Sequence, residues 1–460
     1  MQVAGLNIGI LADDMTGAND TALAFFMAGS PTTVIPDVSL LASGRAEESV
    51  QGTFSVNTQS RHLLASQAEQ QVRQAVKRLT STFGVELFYK KMDSTLRGNV
   101  VAECLTLINV LGFDCAVIVP AYPSQGRLTV GGYQLVDGVP VERTAVARDP
   151  LFPVRSSHIP TLLRQALAEY GENDDQVGFI PLSTVLHGAG PILKELTDRV
   201  EEGRKLVVVD ATSDEDLAQI ALAINKMPDP IRVLPCGSAG LAGVLAESWC
   251  PDKDDEAGDA PELAMTASPL LIISGSITPL SRRQIRELAE HFSYYARGTE
   301  LVMVELSPEK LIGVESVDRD IQRIREALRA GNSVVLGSAL QKDRYMQTLA
   351  VAKEHDIPAT AVPHKVQAVM AHMAAEVMEG LPMDQEDPRL VLIGGETTYE
   401  VCQALECGRL TLVAEVEPAI PLLRDTQGRW LVTKSGNFGT PMTLAHILEF
   451  FRKHEQQPVS

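Results

Sequence analysis

The sequence predicts an α/β protein of two α/β domains with mostly parallel sheets, separated by an acidic linker. Three observations lead there. Short runs rich in Val, Ile and Leu recur along the chain, bounded by Gly, Asp or Ser, as strands buried on both faces are. Amphipathic stretches follow several of these runs, and strand–loop–helix alternation builds parallel sheets. One long polar interruption, Pro251–Pro269, divides the series.

Before the interruption the predicted strands are Leu6–Leu11, Gly52–Val56, Leu87–Lys90, Cys115–Val119 and Lys205–Val209, with helices over Asn19–Met27 and His62–Leu79. After it they are Leu270–Ile273, Leu301–Glu305, Ser333–Leu336, Arg389–Ile393 and Trp430–Thr433, with helices over Leu280–His291, Ile321–Arg329, Ala368–Glu376 and Tyr399–Leu405. The interruption holds Asp252, Asp254, Asp255, Glu256, Asp259 and Glu262 beside Gly258 and Pro261, the composition of a solvated linker. Domains are therefore expected at 1–250 and 270–460, joined by 251–269.

Composition narrows the function. The 460 residues are 45% hydrophobic and 22% charged, which is globular rather than disordered. The net charge of -19, with no basic patch, disfavours nucleic acid and anionic membranes as partners. No apolar run approaches the roughly 18 residues of a membrane span. Met1–Leu11 lacks a basic start and runs into Asp13 and Asp14, so no signal peptide is expected. Six scattered cysteines without a CxxC pair read as reduced, buried thiols, and the expected location is the cytoplasm. Nine histidines include no HExxH and no i,i+4 pair, and no GxSxG elbow occurs, so zinc and serine-hydrolase chemistry lack support.

Ligands of parallel sheets gather at the C-terminal ends of strands, and the polar motifs fall there. Ala12-Asp13-Asp14-Met15-Thr16-Gly17-Ala18-Asn19-Asp20 follows the first strand. Its adjacent carboxylates call for a cation, a proton or hydroxyl donors; the plainer reading is a turn with Asn19 or Asp20 capping the next helix. Tyr89-Lys90-Lys91-Met92-Asp93-Ser94-Thr95-Leu96-Arg97-Gly98-Asn99 mixes ammonium, carboxylate, hydroxyl, guanidinium and amide groups, a set suited to an acidic, hydroxylated substrate. Arg97 can grip a carboxylate with two parallel hydrogen bonds, and Arg61, after Asn57-Thr58-Gln59-Ser60, offers a second clamp. Pro120–Pro153 is a long, Gly-punctuated segment, read as an active-site lid or as an excursion between subunits.

Beyond the linker the motifs suit phosphate. Ser274-Gly275-Ser276, Gly394-Gly395-Glu396-Thr397 and Lys434-Ser435-Gly436-Asn437 each follow a predicted strand. Small residues at such turns let backbone N–H groups approach a phosphate. There is no Walker A pattern, and no GxGxxG in the first βα turn, which weakens a nicotinamide-dehydrogenase reading.

Ala12–Thr21, Lys91–Asn99, Arg127–Gly132, Gly237–Ala242, Ser274–Ser276, Gly394–Thr397 and Lys434–Gly439, in that order, resemble the four-carbon acid sugar kinases from about residue 7 to 450. Met15 and Met92 stand where Leu, Phe or Ile are more usual in that family. The resemblance implies a sugar-acid-binding N-terminal domain and an ATP-binding C-terminal domain. It implies transfer of the ATP γ-phosphoryl group to the terminal, C4, hydroxyl of D-threonate, D-erythronate or 3-oxo-tetronate. Nucleotide contacts are then expected at Ser276, Gly394, Gly395, Glu396, Thr397 and Gly436, with Ser274, Gly275 and Asn437 in the same turns. Glu396 is the expected Mg²⁺ ligand, because a bare backbone cradle has no use for an acid. Asp13, Asp20, Arg61, Lys91, Ser94, Arg97 and Asn99 are expected around the sugar acid. Phosphoryl transfer requires exclusion of water, which a closing cleft between the domains would supply, so the active site is expected there.

The proton acceptor is sought among Asp13, Asp14, Asp20 and Asp93. Lys91 and Arg97 flank Asp93 and would keep it ionised but weakly basic, so Asp14 is assigned as base and Asp93 as the group orienting the hydroxyl. Two other classes stay open: a non-catalytic, nucleotide-regulated sugar-acid sensor, and an acid-activating ligase, whose product would be an acyl phosphate or adenylate. Neither the tetronate nor the choice between monomer and homodimer is encoded in these patterns.

Overall fold

The chain divides by its internal contacts into residues 1–253 and 254–460. The computed structural model describes residues 6–41, 51–148, 153–250, 263, 265–296, 298–382 and 385–455. The acidic residues assigned to the linker, 252–262, lie outside the described residues, as do Asp149 and Pro150.

In the first unit the strands are β1 (Asn7–Ala12), β2 (Thr32–Ile35), β3 (Thr53–Asn57), β4 (Val85–Lys91), β5 (Cys115–Val119), β6 (Arg127–Val130), β7 (Tyr133–Val136), β8 (Val139–Pro140), β9 (Val177–Ile180), β10 (Leu206–Val209) and β11 (Val233–Gly237). The main sheet runs β2-β3-β1-β4-β11-β5-β10-β9, and its strands pair in parallel. The helices are α1 (Met15–Met27), α2 (Ala65–Phe83), α3 (Val100–Leu111), α4 (Ile159–Glu169), α5 (Leu182–Val185), α6 (Ala189–Glu201), α7 (Asp214–Asn225) and α8 (Ala239–Trp249). Both faces of the sheet are covered. Cys115, Val117 and Val119 of β5 pack into a core with Phe25, Leu217 and Trp249, while Ala116 and Ile118 join Val72, Leu107 and Leu163. That alternation explains why β5 reads as an unbroken apolar run.

The segment from Pro120 to Pro153 forms a separate antiparallel sheet, β6-β7-β8, among its described residues. The turn between β6 and β7 takes Gly131 and Gly132 at φ 59° and 76°, the left-handed region that glycine enters without steric cost. The sheet is fastened to its own unit. Asp210, at the end of β10, accepts hydrogen bonds from Gly131 N (2.7 Å), Gly132 N (2.9 Å) and Leu182 N (3.0 Å).

The second unit contains β12 (Leu270–Ser274), β13 (Leu301–Glu305), β14 (Ser333–Gly337), β15 (Arg389–Ile393), β16 (Leu410–Glu417), β17 (Ile420–Arg424) and β18 (Trp430–Lys434), ordered β13-β14-β12-β15-β18-β17-β16. The first five in that order are parallel, and β18-β17-β16 are antiparallel. Its helices are α9 (Pro279–Tyr295), α10 (Pro308–Leu311), α11 (Asp318–Arg329), α12 (Arg344–Glu354), α13 (Val362–Glu379), α14 (Gly395–Ala404) and α15 (Thr443–Lys453). No described helix of the chain is long and apolar enough to cross a membrane.

Candidate functional site

At the end of β1, Asp13 and Asp14 are 2% and 9% exposed. The cation their repulsion calls for is Arg61. Its Nε and Nη2 reach Asp13 at 2.8 and 3.1 Å, and its Nη1 reaches Asp14 at 2.6 Å. All three guanidinium nitrogens are thereby engaged within the protein. Asp14 also caps α1, accepting from Gly17 N at 2.8 Å. The capping role considered for Asn19 or Asp20 falls on Asp14 instead, and the helix begins at Met15, one turn earlier than predicted. Burial would raise the Asp13 carboxyl, but Arg61, then Lys90 and Lys91, hold it below the usual range.

The end of β4 supplies the second half of the cluster. Lys90 is fully buried and donates to Glu103 on α3 at 2.6 Å and to the Lys91 carbonyl at 2.8 Å. Lys91 Nζ has the Met92 carbonyl as its hydrogen-bond acceptor at 2.9 Å and no carboxylate within ion-pair distance among the described residues. It lies against the first turn of α1, where a Cβ on Gly17 would come within 2.9 Å of it and 2.7 Å of Asp14 Oδ1. Asp93 accepts from Arg97 Nε at 2.7 Å, from Arg97 N at 3.2 Å and from the Thr95 hydroxyl. Burial opposes ionisation of Asp93, yet Arg97, Arg61 and these hydrogen bonds hold it far below the usual carboxylate range.

Asp20 differs from its neighbours. It has no hydrogen-bond donor among the described residues, and burial pushes its carboxyl up to about 6, with Lys91 opposing and Asp14 adding to the rise. Arg61, expected to clamp the substrate carboxylate, is instead held by Asp13 and Asp14, and Asn99 and Ser94 of the expected substrate set have internal duties as well. Asn99 Nδ2 donates to the Ser60 and Leu63 carbonyls at 2.8 and 2.9 Å, and the Ser94 carbonyl accepts from Gln134 Nε2 at 2.7 Å. Gln134, fully buried on β7, thus ties the small sheet to the loop that carries Asp93 and Arg97. Sequence reasoning missed it, along with Asp210 and Glu103. An acid inside the apolar run Val100–Leu111 was the signal for Glu103; Gln134 and Asp210 gave none.

In the second unit the three glycine turns meet. A Cβ on Gly275 would collide with Thr397 Oγ1, which donates to Gln367 at 2.9 Å. A Cβ on Gly436 would collide with Ser276 Oγ, and the Gly436 carbonyl accepts from Thr278 Oγ1 at 2.7 Å and Ser281 Oγ at 2.9 Å. Gly394 N donates to the Lys434 carbonyl at 2.9 Å. Gly394 sits at φ 112° as the N-cap of α14, so no cap side chain covers the first N–H groups of that helix, and Glu396 lies in its first turn. Ser274 ends β12 and is buried, whereas Asn437 is exposed. Lys434 is 4% exposed, and its Nζ donates to the Ser435 carbonyl at 2.8 Å. Among the described residues, the one group of three potential metal-ligating side chains is Glu287, Glu290 and His291, away from these turns on α9.

Residues 8–245 match the family model of a sugar-binding N-terminal domain, and residues 271–444 that of a nucleotide-binding C-terminal domain. The chain is 31% identical over 465 residues to a D-threonate kinase of Bordetella bronchiseptica, covering 98% of this chain and 99% of that one. It is 29% identical over 441 residues to a D-erythronate kinase of Heliobacterium modesticaldum, covering 94% of each. A 3-oxo-tetronate kinase of Methylobacterium radiotolerans is 28% identical, covering 94% of this chain and 96% of its own. Among solved structures, a Salmonella typhimurium LT2 protein matches with a TM-score of 0.77 at 22% identity, covering 96% of this chain and 98% of that one. Haemophilus influenzae protein HI1011 matches with a TM-score of 0.69 at 22% identity, covering 96% and 100%. These two likenesses concern the fold. Matching domain models in both units, with kinase relatives alike over nearly the whole length, mean that the chain belongs to the four-carbon acid sugar kinase family.

Proposed function

We propose that the protein transfers the γ-phosphoryl group of ATP to the C4 hydroxyl of a four-carbon sugar acid of the D-threonate, D-erythronate or 3-oxo-tetronate type. What carries the reading is the polar cluster at the ends of β1 and β4, in a chain whose other unit is a nucleotide-binding domain. Such a cluster offers a sugar acid hydroxyl acceptors at Asp13 and Asp93 and cations at Lys91 and Arg97. Arg61 keeps the adjacent acids ionised and oriented. The proton acceptor sought at Asp14 fits Asp20 better, since Asp14 already caps a helix and pairs with Arg61. Glu396, with the hydroxyl of Thr397 beside it and that of Ser276 in the neighbouring turn, is a hard-oxygen donor set of the kind Mg²⁺ shares with phosphates and water. Bound there, the ion would neutralise phosphate charge.

Coupled ADP release across a panel of four-carbon sugar acids is the test, with the product identified as a phosphoester. Nucleotide binding without ADP release on any of them would favour the sensor; an acyl phosphate or adenylate would favour the ligase. Within this reading, Arg97→Ala removes a cation from the substrate and loosens Asp93. Losing a buried, hydrogen-bonded charge partner costs about 2 to 5 kcal/mol in binding, roughly 30-fold or more. Steady-state kinetics should therefore show that rise in the sugar-acid KM, with the ATP KM within about twofold. An unchanged sugar-acid KM would remove Arg97 from the site.

A further inference from the structure

We propose that Lys434 meets a phosphate of the incoming nucleotide and takes up a proton as it does so. The inference rests on the nucleotide-binding role of the second unit. Lys434 is the last residue of β18, directly before the Ser435–Asn437 turn, and its carbonyl receives Gly394 N, so two of the three converging turns meet at its backbone. Its ammonium is all but sealed from solvent and stays at its own turn, on the Ser435 carbonyl. No carboxylate lies within ion-pair distance of it among the described residues.

The charged groups around it do not compensate it. Glu417, at the end of β16, is the one acid that acts on it appreciably, and that carboxylate is occupied by Thr443 Oγ1 at 2.6 Å and by His446 on α15. β15 brings the apolar Ile393 into register with Lys434. On the side of β12 and α9, Ser276, Thr278 and Ser281 are neutral hydroxyls. Glu396 on α14 is the remaining acid of the converging turns.

A buried amine with one neutral acceptor loses its proton readily, and burial pushes Lys434 down to about 7, Glu417 opposing weakly. Near pH 7.5 a large share of the molecules therefore hold a neutral amine. A polyphosphate brings several negative charges to the turn, favours the ammonium and draws a proton from solvent. Lysine, as a compact point charge, suits this contact, and unlike arginine it can exist neutral in the empty site.

Calorimetric titration with Mg·ATP, without sugar acid, in buffers of low and high ionisation enthalpy at about pH 7.5 reads the proton directly. Wild type should take up more than half a proton beyond whatever Lys434→Arg takes up, because the guanidinium is charged throughout and titration of ATP itself is common to both. Lys434→Met should bind Mg·ATP at least tenfold more weakly. As a check independent of variants, wild-type affinity should fall as pH rises above about 7, by up to tenfold per unit, because the amine must then be recharged. Equal proton uptake in wild type and Lys434→Arg, or unchanged affinity in Lys434→Met, overturns the proposal. A wild type that shows no Mg·ATP binding at all would sink the nucleotide reading beneath it.

Discussion

Asp20→Asn lowers kcat by about 10²- to 10⁴-fold, the usual contribution of a general base, and leaves both KM values nearly unchanged. On the proposed reaction, four carboxyls are candidates for the group that accepts the proton of the attacking hydroxyl. Asp13 and Asp93 are held low by guanidinium groups and make poor bases at neutral pH. Asp14 is tied to Gly17 N and Arg61. Asp20 alone of the four combines absence of a hydrogen-bond donor among the described residues with a carboxyl pushed up to about 6. The base must be ionised, so kcat should fall about tenfold per unit as pH drops below 6, and that limb should vanish in Asp20→Asn. Unfolding does not mimic it through this group. A carboxyl whose folded pKa exceeds its unfolded value near 3.9 binds more protons when folded, so its contribution to stability increases as pH falls through 6. Should Asp14→Asn prove the deeper loss in kcat, with Asp20→Asn active, the base is Asp14.

The fold was legible where strands are long apolar runs. Cys115–Val119, Leu301–Glu305 and Arg389–Ile393 come out at the expected residues. β9 (Val177–Ile180) and β16 (Leu410–Glu417) escaped the sequence reading although nothing in them argues against a strand; in three other missed strands the sequence contradicts a central position. Pro235 in β11 and Pro421 in β17 argue against a ladder, and β2 is a four-residue strand between two prolines. Tertiary pairing overrides these local signals. Helix starts differ from the expected ones in both directions: α1 is opened by Asp14, a turn before Asn19, and α14 begins at Gly395, where no side chain caps it, whereas α2 starts at Ala65, three residues after the expected His62. In the candidate site, residue types and their clustering were readable, but pairing was not. That Arg61 bridges both acids, 47 and 48 positions away, and that Asn99 braces the Ser60–Leu63 turn, follow from the parallel order β3-β1-β4, which brings three strand ends side by side. Motifs announce which groups are present; the sheet decides which charges cancel and which stay available to a substrate.

The second large effect is expected at Gly275. A side chain there must share space with Thr397 Oγ1, and the Gln367 amide stands 3.0 Å from the same Cβ position. Thr397 cannot simply rotate away without losing its 2.9 Å hydrogen bond to Gln367. Gly275→Val therefore separates the first turn from α14. Overpacking of this kind costs about 1 to 3 kcal/mol, and here the cost falls on the alignment of the turns as well as on stability. The expected result is an ATP KM raised roughly 10- to 100-fold, a sugar-acid KM within about twofold, and a lowered Tm that Mg·ATP restores less well than in wild type. The sugar-acid KM should be spared because the cluster proposed for the sugar acid belongs to the other unit, residues 1–253. Gly275→Ala paired with Thr397→Ala removes the colliding oxygen, so its Tm should lie above that of Gly275→Ala alone, while Thr397→Ala by itself reads what loss of the hydroxyl costs in ATP KM. If Gly275→Val instead raises the sugar-acid KM and spares that for ATP, the turns at Gly275 and Thr397 do not hold the nucleotide.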